Sequence, residues 1–255
     1  MTSLAGRHAL VTGANRGIGA AIAVVLSQNG ATVTLLVRNR AAGEAMQSQL
    51  PGKSFVVVAD ITNEDTTVRA CAAAVKEMGS VDILVNNAGS VESAPFSRTS
   101  HALFERMMAE HLYGPLHCIR ALLPAMLAEG FGRVVNIASV AGVAGAPYVT
   151  AYCSAKHAMV GLTRSLAKEA IVKGVTVNAV CPGYTDTDLV SKGVAAITAR
   201  TGRSPEDATG MLLAHNPLHR LITPEEVAAS VLWLCSDGAA SVTGQTIIID
   251  GGELA

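Results

Sequence analysis

Charge is scarce in this 255-residue chain: only 15% of its residues are Asp, Glu, Lys or Arg, and 19 basic side chains against 20 acidic ones leave a formal net charge of −1. No global field favours nucleic acid or an anionic membrane, so an anionic ligand has to be held by a local site. Long apolar runs are missing too. Half of the residues are hydrophobic, yet no uninterrupted stretch reaches the roughly 18–20 residues that a bilayer span needs, so the apolar excess predicts core, or surface buried between subunits. The five cysteines, Cys71, Cys118, Cys153, Cys181 and Cys235, include no C-x-x-C pair. That argues against a disulfide framework or a zinc site and for reduced, buried thiols. No H-E-x-x-H spacing occurs among the seven histidines, and no metal is expected. Arg7 and His8 interrupt the N-terminal stretch before any apolar segment can form, so a cytoplasmic location is the expectation.

What the chain does have is alternation. Strand candidates at 8–12, 32–37, 54–59, 82–86, 133–138, 175–180 and 246–250 are separated by helical stretches, in which Ile18, Ile22, Val25 and Leu26 share one face and Ala155, Met159, Leu162 and Leu166 another. Nearly continuous apolar strands between amphipathic helices predict a parallel sheet covered on both faces. The expected fold is α/β, a single-domain Rossmann-type doubly wound parallel sheet of about seven strands over residues 1–255, since no repeat, linker or low-complexity tract marks a boundary. One segment breaks the rhythm. Residues 183–222 are polar, Gly/Thr-rich and weakly periodic, as expected of a lid or binding loop with a short helix in it.

In "LVTGANRGIG" a strand runs straight into a helix, with Gly13, Gly17 and Gly19 at the turn. Such a turn exposes backbone N–H groups at a helix N-terminus, where the dipole favours an anion. The spacing is G-x-x-x-G-x-G rather than G-x-G-x-x-G, so the turn predicts a nucleotide only together with its position after the first strand. A carboxylate at the end of the second strand would suit the ribose hydroxyls of NAD, and an arginine the 2′-phosphate of NADP. Here Val37 stands where the acid would be, Arg38 and Asn39 follow, and Arg16 adds a second cation from within the turn. NADP(H) is the predicted cofactor.

With "NNAG" at 86–89, "NIAS" at 136–139, "YCSAK" at 152–156, "NAVCPG" at 178–183 and "VTGQTIIIDGG" at 242–252, the chain resembles the short-chain dehydrogenase/reductase family in its single-domain branch. The resemblance covers essentially the whole length and implies a Ser, Tyr and Lys acting with an Asn, matched in three places by Ser139, Tyr152 and Lys156. The chemistry asks for these types. Hydride transfer to a ketone puts negative charge on the carbonyl oxygen, so a donor must stand by it and a proton must follow. A phenol titrates near 10 and needs positive charge close by to act at neutral pH. Lys156, at i+4 from Tyr152, supplies that charge from the next helical turn, and the oxidised nicotinamide adds a second. By resemblance Lys156 also holds the nicotinamide ribose. Taken singly the motifs have plainer readings, since Tyr-x-x-x-Lys recurs by chance and Ser139 could cap a turn.

The same resemblance implies a wider cofactor surface: Asn15 and Ile18 in the glycine turn, Asp60 and Ile61 at the adenine, Asn87, Ala88 and Gly89 along the middle, and Pro182, Gly183, Thr185 and Thr187 closing over the carboxamide. Where the family usually carries Asn, this chain has His111, in "AEHLYGPL". Neutral imidazole offers one donor and one acceptor, so His111 reads as a residue supporting a proton relay, ahead of a direct proton-transfer role or a metal ligand.

Two other classes bear on the reading. A serine hydrolase would need a G-x-S-x-G elbow, and Ile137 stands two before Ser139. A non-catalytic NADP-binding sensor or scaffold on the same fold is the stronger alternative, because fold does not fix function, though the intact Ser, Tyr and Lys speak against it. The expected substrate is a small-molecule ketone or secondary alcohol, or a 3-oxoacyl thioester; Lys192, Arg200 and Arg203 of the lid could meet a phosphopantetheine or simply solvate the loop. The apolar helices around 101–128 and 150–172 would suit subunit packing, and the resemblance implies a homo-oligomer, tetramer or dimer.

Overall fold

Alternating apolar strands and half-buried helices carry the chain from end to end. The computed structural model describes residues 3–255 and their side chains except those of Ala196 and Arg200; Arg200, counted above among the lid cations, lies outside the described side chains. In chain order, β1 (His8–Thr12) leads into α1 (Gly17–Gln28), β2 (Thr32–Val37) into α2 (Arg40–Gln47) and β3 (Ser54–Val58) into α3 (Glu64–Met78). β4 (Ile83–Asn86) is followed by α4 (His101–Met108), a π-helical turn (Ala109–Tyr113) and α5 (Gly114–Glu129). β5 (Gly132–Ile137) precedes α6 (Thr150–Ala170), and β6 (Val175–Pro182) precedes α7 (Asp188–Thr201), α8 (Pro205–Leu212) and α9 (Pro224–Cys235), before β7 (Thr246–Ile249) ends the sheet. Every expected strand is present.

The order is β3-β2-β1-β4-β5-β6-β7, and each neighbouring pair is parallel. Alternate side chains of one strand therefore feed two cores. Val11 joins Ile22 and Leu26 of α1 and Val227 and Val231 of α9 on one face, while Leu10 joins Cys71 of α3, Cys118 and Leu122 of α5 and Ala167 of α6 on the other. Burying each large aliphatic side chain contributes roughly 1.5–3 kcal/mol. All five cysteines are buried and free, as expected. After β3 the chain crosses back over β1 to start β4, so a crevice opens between the C-terminal ends of β1 and β4, where open α/β sheets bind ligands.

The 183–222 segment is more regular than its sequence suggests. Residues 188–212 form α7 and α8, and the segment is clamped at its root by the bridge between Thr185 and Ile222. Most of the described residues of α7 face solvent, which leaves no broad apolar stripe for a periodicity argument to find. α8 carries a start signal that was readable: the Ser204 hydroxyl accepts from the Asp207 amide at 3.1 Å, with Pro205 at the first helical position.

Candidate active site

The glycine turn packs as its residues predict. Gly13 and Gly17 have φ of 64° and 52°, the left-handed region that glycine alone enters freely, and a Cβ on Gly13 would stand 2.9 Å from the Ala88 Cα. The turn is thus pressed against "NNAG". Thr12, which the sequence reading did not single out, joins the two: its hydroxyl accepts from the amides of Asn87 (2.9 Å) and Ala88 (3.0 Å), and the Asn87 amide nitrogen donates to the Thr12 carbonyl at 3.0 Å. A polar residue at the end of β1, directly before Gly13, was its only signal. Arg16 precedes α1 with no side chain capping the helix, so the first-turn N–H groups of Gly17, Ile18 and Gly19 are left to an anion. Asn15 is half-buried beside them.

At the edge of the crevice Val37 is buried and Arg38 exposed. Asn39 spends its side-chain oxygen on the Ala42 amide, capping α2 at 3.0 Å. Asp60 turns its carboxylate onto the amide and hydroxyl of Thr62, which hold it below the usual carboxylate range, with the charge of Arg38 acting in the same direction. Arg38 and Asp60 thus share one corner. The Ile61 side chain is spent on the core, and its carbonyl meets the His117 ring nitrogen at 2.9 Å. Arg16 reaches the other way, pairing with Asp188 at the start of α7 at 3.8 Å, and Thr187 packs against Gly17. The start of the 183–222 segment therefore rests on the glycine turn. Thr185 is buried, its hydroxyl donating to the Gly183 carbonyl at 3.0 Å, and Pro182 and Gly183 complete the wall beside Asp250.

The chemical end is built on β5 and α6. Ser139 does cap a short turn, its hydroxyl oxygen accepting from the Ala141 amide at 3.1 Å, and its own proton stays free to be donated elsewhere. Tyr152 is half-buried, and desolvation pushes its phenol up to about 12 although the Ser139 hydroxyl beside it works the other way. Lys156, one turn on, lies with Nζ 5.6 Å from the Tyr152 ring centre and donates to the Ile137 carbonyl at 2.7 Å. Burial lowers its ammonium to about 8. In the protein alone desolvation outweighs the neighbouring groups, so the phenol is held above its ordinary value. Beneath them a buried chain that the sequence did not reveal runs from the Asn86 amide to Asn136 Oδ1 and from the Asn136 amide to the Thr163 hydroxyl, both at 2.9 Å. Cys153 is a packed thiol, its Sγ 3.9 Å from the Ala146 carbonyl.

His111 sits in the π-helical turn, buried, where the ladder of α4 and α5 is widened by one residue; such turns are frequent at functional sites. Its Nε2 meets the Ser90 carbonyl at 2.6 Å, and its ring stands edge-on to the Tyr152 ring, with centres 5.0 Å apart at 88°. The ring also explains Gly89. A Cβ there would land on the imidazole, so the small residue makes room for His111 as well as for a close approach along the backbone. Gly89→Ala should lower stability by about 1–3 kcal/mol, the usual cost of overpacking a tight site; an unchanged thermal midpoint would show that the ring moves aside freely. Among the described residues no cluster of His, Cys, Asp or Glu could hold a metal ion, and no helix is long and apolar enough to cross a membrane.

Comparison with known proteins agrees with this geometry. A family profile described as Enoyl-(Acyl carrier protein) reductase matches residues 13–253. An uncharacterized oxidoreductase, YxjF, of Bacillus subtilis (strain 168) is 37% identical over 252 residues, covering 97% of this chain and 98% of its own. A 3-oxoacyl-[acyl-carrier-protein] reductase of Haemophilus influenzae is 35% identical over 247 residues, with 97% and 98% covered. A solved structure from Beutenbergia cavernae, provisionally assigned as an NAD(P)-dependent gluconate 5-dehydrogenase and holding NADP at low occupancy, superposes with a TM-score of 0.88 at 36% identity, covering 99% of this chain and 98% of that one. The parallel seven-stranded sheet, the motif order along it and these likenesses show that the chain belongs to the short-chain dehydrogenase/reductase family of oxidoreductases.

Proposed function

We propose that the protein is an NADP(H)-dependent oxidoreductase that interconverts a carbonyl and a secondary alcohol, with Tyr152 as the acid/base. The observation that carries this reading is the meeting of Ser139, Tyr152 and Lys156 at one spot, on the same sheet as the glycine turn that packs against Asn87 and Ala88 at the uncapped start of α1. The cradle fits a dinucleotide: Gly13, Gly17 and Gly19 leave no side chain in it, the amides at the head of α1 suit its phosphates, and Arg38 suits a 2′-phosphate. Asn15, Arg16, Ile18, Asn39, Asp60, Ile61, Asn87, Ala88, Gly89, Pro182, Gly183, Thr185 and Thr187 complete the proposed binding surface, with Tyr152 and Lys156 at the nicotinamide end. Reduced NADP, when bound, supplies the hydride.

The chain's own residues do the rest. The Ser139 proton points at the carbonyl oxygen as negative charge builds there, and Tyr152 Oη gives its proton to that oxygen as the alcohol forms. Lys156 stabilises the phenolate left behind, and burial keeps water from competing. The substrate class is a ketone or a 3-oxoacyl thioester; the apolar Leu189 and Met211 stand exposed on the lid near Lys192 and Arg203, a surface suited to a substrate with an apolar stretch. A homo-oligomer, tetramer or dimer, working in the cytoplasm belongs to the same reading. Loss of NADPH absorbance with a panel of small ketones and 3-oxoacyl thioesters tests it. Turnover of at least one is the expected result, and tight NADPH binding with none turned over would favour the sensor or scaffold.

A further inference from the structure

Two of the buried thiols meet. Cys71 falls on the inner face of α3 with Ala70 and Ala74, and Cys118 on the inner face of α5, with Leu122 one turn further on. α3 packs directly against α5, and both cysteines belong to the same core on one face of the sheet. Their thiols hydrogen-bond to each other. The contact has a direction. The hydrogen bond from Cys118 holds the Cys71 thiol below its ordinary value against the opposing effect of burial, whereas Cys118 is held well above its own by the same bond and by burial. Cys118 is thus the donor and Cys71 the sulfur nearer to a thiolate, which is the nucleophilic form.

The pair is buried without being closed off. A groove of about 390 Å³ runs between the two helices, lined by Val68, Cys71 and Val75 of α3 and by Ala121, Leu122 and Ala125 of α5. Cys71 reaches its wall, and Cys118 lies behind. A small neutral oxidant entering the groove therefore meets Cys71 first.

We propose that Cys71 and Cys118 form a reversible thiol–disulfide site for a hydroperoxide, in which Cys71 takes the oxygen and Cys118 resolves it into a disulfide that staples α3 to α5. With hydrogen peroxide, Cys71 Sγ attacks one oxygen: the S–O bond forms as the O–O bond breaks, and the second oxygen leaves as water with the Cys71 proton. Cys118 Sγ then attacks the sulfenic sulfur. The S–S bond forms, the S–O bond breaks, and the hydroxyl leaves as water with the Cys118 proton. Each sulfur loses one electron and each peroxide oxygen gains one. A dithiol reductant reverses the change by thiol–disulfide exchange. The site stands independently of the reading of Ser139, Tyr152 and Lys156.

Peptide mapping of the full chain under non-reducing conditions tests it. After hydrogen peroxide, the wild-type protein should be lighter by two hydrogens and yield one cross-linked peptide pair carrying Cys71 and Cys118, while Cys153, Cys181 and Cys235 stay reduced. Dithiothreitol should restore the starting mass. The bridge closes the long loop between residues 71 and 118, so the oxidised protein should melt about 5–10 °C higher than the reduced one. Cys118→Ala removes the resolving thiol and should leave Cys71 as a sulfenic acid that dimedone labels; Cys71→Ala should leave Cys118 unoxidised. The proposal fails if the wild-type protein keeps all its thiols free, goes to sulfinic acid without a cross-link, or reacts first at Cys153, Cys181 or Cys235. Oxidation of Cys118 in Cys71→Ala at the wild-type rate overturns the assigned order, and a midpoint unchanged or lowered by the cross-link overturns the preformed geometry. If the variants do not fold, the wild-type map and midpoint decide.

Discussion

Tyr152→Phe should lower kcat for ketone reduction by about 10³–10⁴-fold while NADPH affinity stays within a few fold. The substitution deletes one hydroxyl and leaves the ring that packs edge-on against His111, so the fold has little reason to change. Positioned acid/base groups contribute roughly 10²–10⁴-fold, and the neighbouring donors are poor replacements: the Ser139 hydroxyl is far too weak an acid, His111 Nε2 is turned to Ser90, and the Lys156 ammonium is directed to the Ile137 carbonyl. Stopped-flow absorbance and a binding titration on the same sample check the two halves separately. The pH dependence follows from the same burial. With the phenol pushed up to about 12 in the unliganded protein, the proton that reduction needs is present throughout the neutral range, whereas alcohol oxidation needs it gone and should speed up as pH rises. Lys156 sets the opposite limit. Its ammonium, lowered to about 8, loses charge as pH passes that value, so kcat/KM for NADPH, which reports the free enzyme, should be flat below about 8 and fall above it.

Arg38→Asp should reverse the cofactor preference, lowering the ratio of kcat/KM for NADPH over NADH by about 10²-fold or more. A hydrogen bond to a charged group contributes about 1.5–3 kcal/mol, and the new carboxylate would both repel a 2′-phosphate and accept from ribose hydroxyls. Because Arg38 is exposed, salt screens its charge, and the wild-type preference should shrink as ionic strength rises. Paired kinetics with the two cofactors at low and high salt check the size and the sign. Equal wild-type efficiency with NADH and NADPH, or no change in Arg38→Asp, would remove the basis for assigning NADP(H). Arg16 should matter less, since its pairing with Asp188 joins two exposed side chains and such pairs contribute about 0–1 kcal/mol.

Much of this was legible before any fold was known, because it depends on near neighbours in the chain. A strand is recorded in a run such as "TVTLLV", and the charge beside Tyr152 in the four-residue step to Lys156. The Gly13 turn is written in the glycines themselves. Helix α7 was not legible, because it lies mostly in solvent and bears no apolar stripe.

What the sequence by itself determined was the parallel sheet and the glycine turn between β1 and α1, since periodicity and turn residues are local geometry; the proposed Ser, Tyr and Lys came from the resemblance to the family. What only the tertiary structure decided was the state of those groups. The Tyr152 phenol is held above its ordinary value because segments distant in the chain partly desolvate it. Gly89 is glycine because a ring 22 positions later in the chain lies over it. His111 has Nε2 at the Ser90 carbonyl and its ring against Tyr152, and its protonation is held well below the ordinary histidine range, because the segment after β4 and helix α6 close over it. Desolvation and hydrogen bonding between distant segments set those properties, and both exist only once the chain has closed around them.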